Sequence, residues 1–281
     1  MIDLPPQLPA VLGAVRAIGR PRLVGGCVRD ALLERPSGDI DIEVGETSFD
    51  SLLAVLAPFG STDVVGRSFG TIKLNLHGTS YDFSLPRRES KTGSGHRGFK
   101  IAADPHLGDE DAASRRDFTI NAMSWDPFTQ TLIDPFNGAA DLRNKILRHT
   151  GPAFVEDPLR VLRAMQLAAR LDFDLAPQTA KLCRSIAADC STLPQERIWG
   201  EWEKWATKST KPSQGLRVLE QTGWIEHFPE VGALRGVEQE PEWHPEGDVF
   251  VHTSYCLDAL TIDPDWIDSN VDRRQNLMFA V

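Results

Sequence analysis

The sequence predicts an α+β protein: a small mixed sheet backed by helices, followed by an all-α region. Three observations predict it. Strand-like runs crowd into the first 150 residues without a repeating β-α-β pattern. From Glu156 onward the apolar residues recur at helical spacing. Charge also changes along the chain: residues 1–142 carry 14 basic and 19 acidic groups, 143–217 carry 13 and 8, and 218–281 carry 3 and 13. A locally basic middle segment is the minimum footprint for a phosphate backbone. The domains expected are therefore 1–150, 151–217 and 218–281.

Taken in order, Leu8–Ile18 reads as a short amphipathic helix leading into a strand at Arg22–Val24. A helix after Gly26 runs to about Glu34, and residues 36–38 (Pro-Ser-Gly) turn the chain into a second strand at Asp39–Val44. Ser48–Phe59 places Leu52, Leu53, Val55 and Leu56 at helical spacing before Gly60. Strands follow at Thr62–Val65, Thr71–Leu76 and Tyr81–Leu85. Arg87–Lys100 is basic and glycine-rich, and it reads as a mobile loop. Its residues 93–98 match G-x-G-x-x-G, but no strand precedes them, so a dinucleotide fingerprint is rejected. No G-x-x-x-x-G-K-[ST] string occurs. Ser114–Trp125 reads as a buried segment headed by Arg116 and Asp117, and Asp134–Gly138 as a turn. Glu156-Asp157 before Pro158 opens a helix, with acids at its positive end. Further helices are expected at Pro177–Ala187, Gln195–Ala206 and Pro212–Gln221.

With 281 residues, 41% hydrophobic and 25% charged, the chain has the composition of an ordinary globular protein of about two domains. No apolar run approaches the ~20 residues of a membrane span, and no export signal heads the chain. Cys27, Cys183, Cys190 and Cys256 lack Cys-x-x-Cys spacing and read as reduced thiols of a cytoplasmic protein.

The chemistry concentrates in Leu23–Val44. Gly25-Gly26 stands between an apolar run and a helix start, where bare backbone N–H groups can approach an anion. Asp39-Ile40-Asp41-Ile42 alternates with period two, which places both carboxylates on one strand face. Alone, such a triplet is most often a solvated strand edge. Behind a phosphate-holding turn, the cation it suits is Mg²⁺ carrying a nucleoside triphosphate. Asp82 is either a third carboxylate beside them or a surface aspartate.

Four strings together, Gly25-Gly26 through Asp41, Arg115-Arg116-Asp117-Phe118-Thr119 through Ala122, Asp134–Gly138, and Glu156-Asp157 through Arg163, resemble the class II tRNA nucleotidyltransferase and bacterial poly(A) polymerase family. The resemblance implies a nucleotidyltransferase head followed by a helical neck and body that cradle a tRNA acceptor end. It implies that Asp39 and Asp41 hold Mg²⁺ and are catalytic. Gly26, Arg29 and Arg116 would hold the triphosphate, and Asp117 would meet the ribose or its neighbours. Asp157 and Arg160 would read the base edge of CTP and then ATP, with Arg163 in support. A carboxylate beside a guanidinium can match a Watson–Crick edge. The alternatives are poly(A) synthesis, CC-only or A-only addition, an HD-type phosphohydrolase, and a non-catalytic RNA-binding protein.

The stretch Glu242–Thr253 resembles the opening of an HD-type phosphohydrolase domain, with His252 as first ligand. The His-Asp pair of such domains is expected after a helix that Leu277–Val281 begins, so the chain reads as a piece lacking the pair. His244 and His252 are then expected to be ordinary surface histidines.

Overall fold

Helix α1 (Leu8–Arg16) buries Leu8, Val11, Leu12 and Val15, one stripe at helical spacing. It feeds β1 (Arg20–Val24), and the Gly25 turn opens α2 (Gly26–Leu32). Next come β2 (Ile40–Gly45) and α3 (Phe49–Leu56), which the Ser48 hydroxyl caps by accepting from the Ser51 N–H at 3.1 Å. This computed structural model describes residues 2–36, 38–65, 70–91 and 99–281. The G-x-G-x-x-G string at 93–98 therefore lies outside the described residues.

Strands β3 (Ser61–Val65), β4 (Thr71–Leu76) and β5 (Thr79–Ser84) follow as an antiparallel meander. Ile72, Leu74 and Leu76 of β4 and Tyr81 and Phe83 of β5 are buried on one face. Period-two alternation turns Thr71, Lys73, Asp82 and Ser84 to the other. The flanks of the expected Arg87–Lys100 loop instead pair as an antiparallel hairpin, β6 (Arg87–Lys91) with β7 (Phe99–Ala103). Backbone pairing across the hairpin holds a segment whose polar, basic composition reads locally as loop.

Helix α4 (Asp109–Ser114), β8 (Ser124–Asp126), β9 (Thr131–Ile133) and α5 (Gly138–Arg143) complete the first unit. The main sheet runs β3-β4-β5-β2-β1-β8-β9. It is mixed, because β2 and β5 are parallel while its other pairings are antiparallel. The three-residue strands β8 and β9 are too short for pattern reading, and the sheet edge beside β1 forms them.

The contacts divide the chain into two compact units: Met1–Arg143 with His149–Ala153, and Asn144–Arg148 with Phe154–Val281. The second begins with β10 (Ile146–Leu147), which pairs in parallel with β11 (Asp174–Leu175). At its centre is α6 (Leu159–Leu171), packed against α8 (Gln195–Lys208) and α9 (Pro212–Thr222), with α7 (Pro177–Ser185) beside α9. A Cβ at Gly215 would lie 2.7 Å from the Trp205 ring and 2.8 Å from the Met165 carbonyl, so only glycine allows α9 this close. Four helices follow: α10 (Pro229–Gly232), α11 (Val249–Leu260), α12 (Pro264–Ile267) and α13 (Val271–Ala280). No helix among the described residues is long and apolar enough to cross a membrane.

Candidate active site

Sheet register builds the first part of the site. Asp41 of β2 pairs with Asp82 of β5, and Asp82 in turn with Lys73 of β4. One row thus crosses three strands on the polar face. Asp39 sits one residue before β2 and is exposed. Burial, then the Asp82 charge, raises the Asp41 carboxyl above its ordinary value; Arg116 opposes this and Asp39 reinforces it. Asp41 and Asp82 line one cleft of about 220 Å³, together with Arg87, Arg115 and Arg116. Adjacent carboxylates of which one is half-buried favour a hard cation between them, so this donor set fits a divalent metal.

The turn at Gly25 lies against two of these groups, Arg116 and Asp41. Gly25 has φ +75°, and a Cβ there would lie 3.1 Å from Arg116 Nη1 and 3.8 Å from Asp41 Oδ2. The absent side chain is what lets the guanidinium and the carboxylate converge on the turn. Arg115 Nη2 donates to Glu43 Oε2 at 2.5 Å, and Arg116 Nη2 lies 3.6 Å from the same oxygen. Burial lowers the Arg116 pKa from its ordinary value, and Glu43 is the first charge to oppose that. Glu43 continues the Asp39–Asp41 alternation, so period two alone could have found it.

Arg29 is placed differently from the other cations. It is 4% exposed. Its Nε donates to Asp30 Oδ1 at 2.7 Å and its Nη1 to Asn121 Oδ1 at 2.6 Å. Asn121 Nδ2 donates to Asp117 Oδ1 at 3.0 Å, and the Phe118 N–H donates to that oxygen at 2.8 Å. The network ties the Gly25-Gly26 helix to the segment that carries Arg116. Asp117, expected at the ribose, is buried inside it. Gly26 is the first residue of α2, and a Cβ there would lie 3.5 Å from Arg29 Nη2.

In the helical unit, α6 is buried on nearly all sides, and Arg160, Arg163 and Arg170 are its partly exposed residues. Arg160 and Arg163 are three apart and share a face. Helix α6 begins at Leu159, two residues after Asp157, whose Oδ1 accepts from the Leu159 N–H at 3.2 Å. Its Oδ2 accepts from Arg197 Nη2 of α8 at 3.0 Å. Arg197 carries no local signal in the sequence; only the packing of α8 beside α6 identifies it.

In the tail, His252 Nδ1 lies 2.6 Å and His244 Nδ1 3.3 Å from Glu246 Oε1. Cys256 Sγ lies 3.4 Å from His252 Nε2. The hydrogen bond from His252, ahead of other contacts, lowers the Glu246 pKa to about 2.

Comparison with known proteins gives the family. Residues 21–148 match the family model described as poly A polymerase head domain, and residues 172–234 match that described as probable RNA and SrmB-binding site of polymerase A. The Multifunctional CCA protein of Stenotrophomonas maltophilia (strain R551-3) is 45% identical over 244 residues, covering 84% of this chain and 58% of that protein. That of Xanthomonas oryzae pv. oryzae (strain MAFF 311018) is 43% identical over 251 residues, covering 86% and 59%. The chain thus spans under two thirds of the length of these relatives. The Bacillus stearothermophilus CCA-adding enzyme, solved in complex with CTP, superposes with a TM-score of 0.67 at 30% identity, over 79% of this chain and 53% of that one. The Thermotoga maritima CCA-adding enzyme, solved with tRNA, gives 0.64 at 25% identity, over 95% and 61%. The head and RNA-binding matches, with these relatives, show that the chain belongs to the tRNA nucleotidyltransferase and poly(A) polymerase family.

Proposed function

We propose that this chain is a template-independent nucleotidyltransferase that adds CMP and AMP from CTP and ATP to the 3′ end of tRNA, as CCA addition requires. The in-register Asp41–Asp82 pair, with Arg116 converging on Gly25, carries this reading. Asp41, with Asp82 beside it and Asp39 at the strand start, is the metal-holding and catalytic set. Bound there, Mg²⁺ would supply Lewis-acid polarisation of the α-phosphate and a more acidic RNA 3′-hydroxyl.

The chain's own groups do the rest. Arg116, steadied by Glu43, presents positive charge to the triphosphate, where negative charge builds as pyrophosphate leaves. Gly26 leaves the turn open to phosphate oxygens. Arg29 acts as a positioning residue, fixing that turn against the Arg116 segment through Asn121. Asp157, just before α6, and Arg160 on it read the base by hydrogen bonding, Arg163 adds charge beside them, and Arg197 orients Asp157. The basic helical segment supports tRNA binding. Four free thiols, Cys27, Cys183, Cys190 and Cys256, support a reducing, cytoplasmic setting.

The test incubates the chain with Mg²⁺ and tRNA ending before its CCA, with CTP, ATP or both, at single-nucleotide gel resolution. Two C additions followed by one A are expected. A long ladder from ATP alone would move the chain to poly(A) synthesis. No addition by the chain, with Asp41→Asn indistinguishable from it in metal binding, would remove the catalytic reading.

A further inference from the structure

The row across the polar face holds a group that this reading does not use. Lys73 Nζ lies 3.5 Å from Asp82 Oδ1, with the two side chains 41% and 38% exposed. The same residues pair in register, and Asp82 pairs onward with Asp41. The order along the row is therefore ammonium, carboxylate, carboxylate. Elsewhere a half-exposed ion pair of this kind contributes little to stability. Here one partner is a carboxylate of the metal-fitting cleft, which changes what the pair controls.

Three carboxylates act on this cleft: Asp39, Asp41 and Asp82. The positive charge of Arg116 is shared with Glu43. Lys73 stands outside that guanidinium cluster, and its charge reaches Asp41 as well as Asp82. An ammonium is a compact point charge on a flexible stem, able to swing off a carboxylate when a stronger cation arrives.

We propose that Lys73 is the resident counter-cation of Asp82, the outer member of the Asp41–Asp82 pair, and competes with divalent metal for it. It thereby sets the metal concentration at which the cleft fills. This rests on the reading of Asp41 and Asp82 as metal ligands. Lys73 touches no substrate in this account and acts through Asp82, so it is a positioning residue.

The test measures Mn²⁺ binding to the whole chain, without nucleotide, by the loss of the free-ion electron paramagnetic resonance signal. Lys73→Met is expected to bind Mn²⁺ about two- to fivefold more tightly than the unaltered chain, the range of a half-exposed ion pair. Lys73→Arg keeps the charge and is expected to stay close to the unaltered affinity. Lys145→Met, which removes a lysine paired with Asp172 in the other unit, is expected to change nothing. The Lys73→Met gain is expected to shrink as KCl is raised, because salt screens half-exposed charges. Equal or weaker binding by Lys73→Met would overturn the proposal while leaving the metal reading intact. Mn²⁺ binding that is absent, or unaffected by Asp82→Asn, would overturn both.

Discussion

Asp41 and Asp82 face one another in register across the parallel pair β2–β5, and their repulsion adds to the cost of burying Asp41. An arrangement that destabilises the metal-free protein is expected where a cation belongs. Asp41→Asn is therefore expected to lower the transfer rate by about 10²–10³-fold, measured by single-turnover extension of tRNA.

The same pair predicts the sign of a pH effect. The folded Asp41 carboxyl is raised above its unfolded value, so the native state holds a proton that the unfolded chain has already released. Without metal, stability falls as pH rises from the ordinary carboxylate value to the raised one. Asp41→Asn is expected to flatten that part of the profile, read from Tm against pH with chelator present.

Gly25 separates backbone strain from cleft geometry. Gly25→Ala forces a left-handed conformation on an L-residue and pushes a Cβ to 3.1 Å from Arg116 Nη1. It is expected to cost about 1–2 kcal/mol and to raise KM for the triphosphate. Gly78 has φ +81° with nothing within 4 Å of its missing Cβ. Gly78→Ala is expected to cost a similar stability and leave KM unchanged, which denaturation and steady-state kinetics together would check.

The buried link between Arg29 and Asp117 is expected to respond to its middle member. Asn121→Ala leaves a guanidinium N–H and a carboxylate oxygen each one partner short. The expected loss is about 1–3 kcal/mol, read from urea unfolding.

Arg197 offers a test of the proposed base reading that leaves Asp157 and Arg160 in place. Its bond to Asp157 is half-exposed, so Arg197→Ala is expected to cost under about 1 kcal/mol in stability. Misincorporation of UMP or GMP relative to CMP and AMP is expected to rise by about tenfold, the worth of a lost orienting hydrogen bond. Sequencing of extended tRNA ends would show it. An Arg197→Ala chain with unchanged fidelity would detach Asp157 from base selection.

Local pattern was enough to read much of this protein. Period-two alternation marked β2, β4 and β5, and helical spacing marked α1, α3 and α6, because burial of one face is written directly into residue order. The Gly25-Gly26 turn was legible as a string, and the proposed site positions Asp39, Asp41, Arg116 and Asp157–Arg163 rest on strings of the same kind. What the sequence by itself determined was therefore the α+β class, the change to helix near Glu156 and the chemistry each segment can offer. The tertiary structure decided which groups meet. Sheet register set Asp82 beside Asp41, 41 residues away along the chain, and put Lys73 on the far side of Asp82 in the same row. Packing buried Arg29 and Asp117 in one network and brought Arg197 to Asp157. Those pairings are long-range. Strand order and helix packing are fixed by the summed burial of the whole core, and no local window of sequence contains that sum.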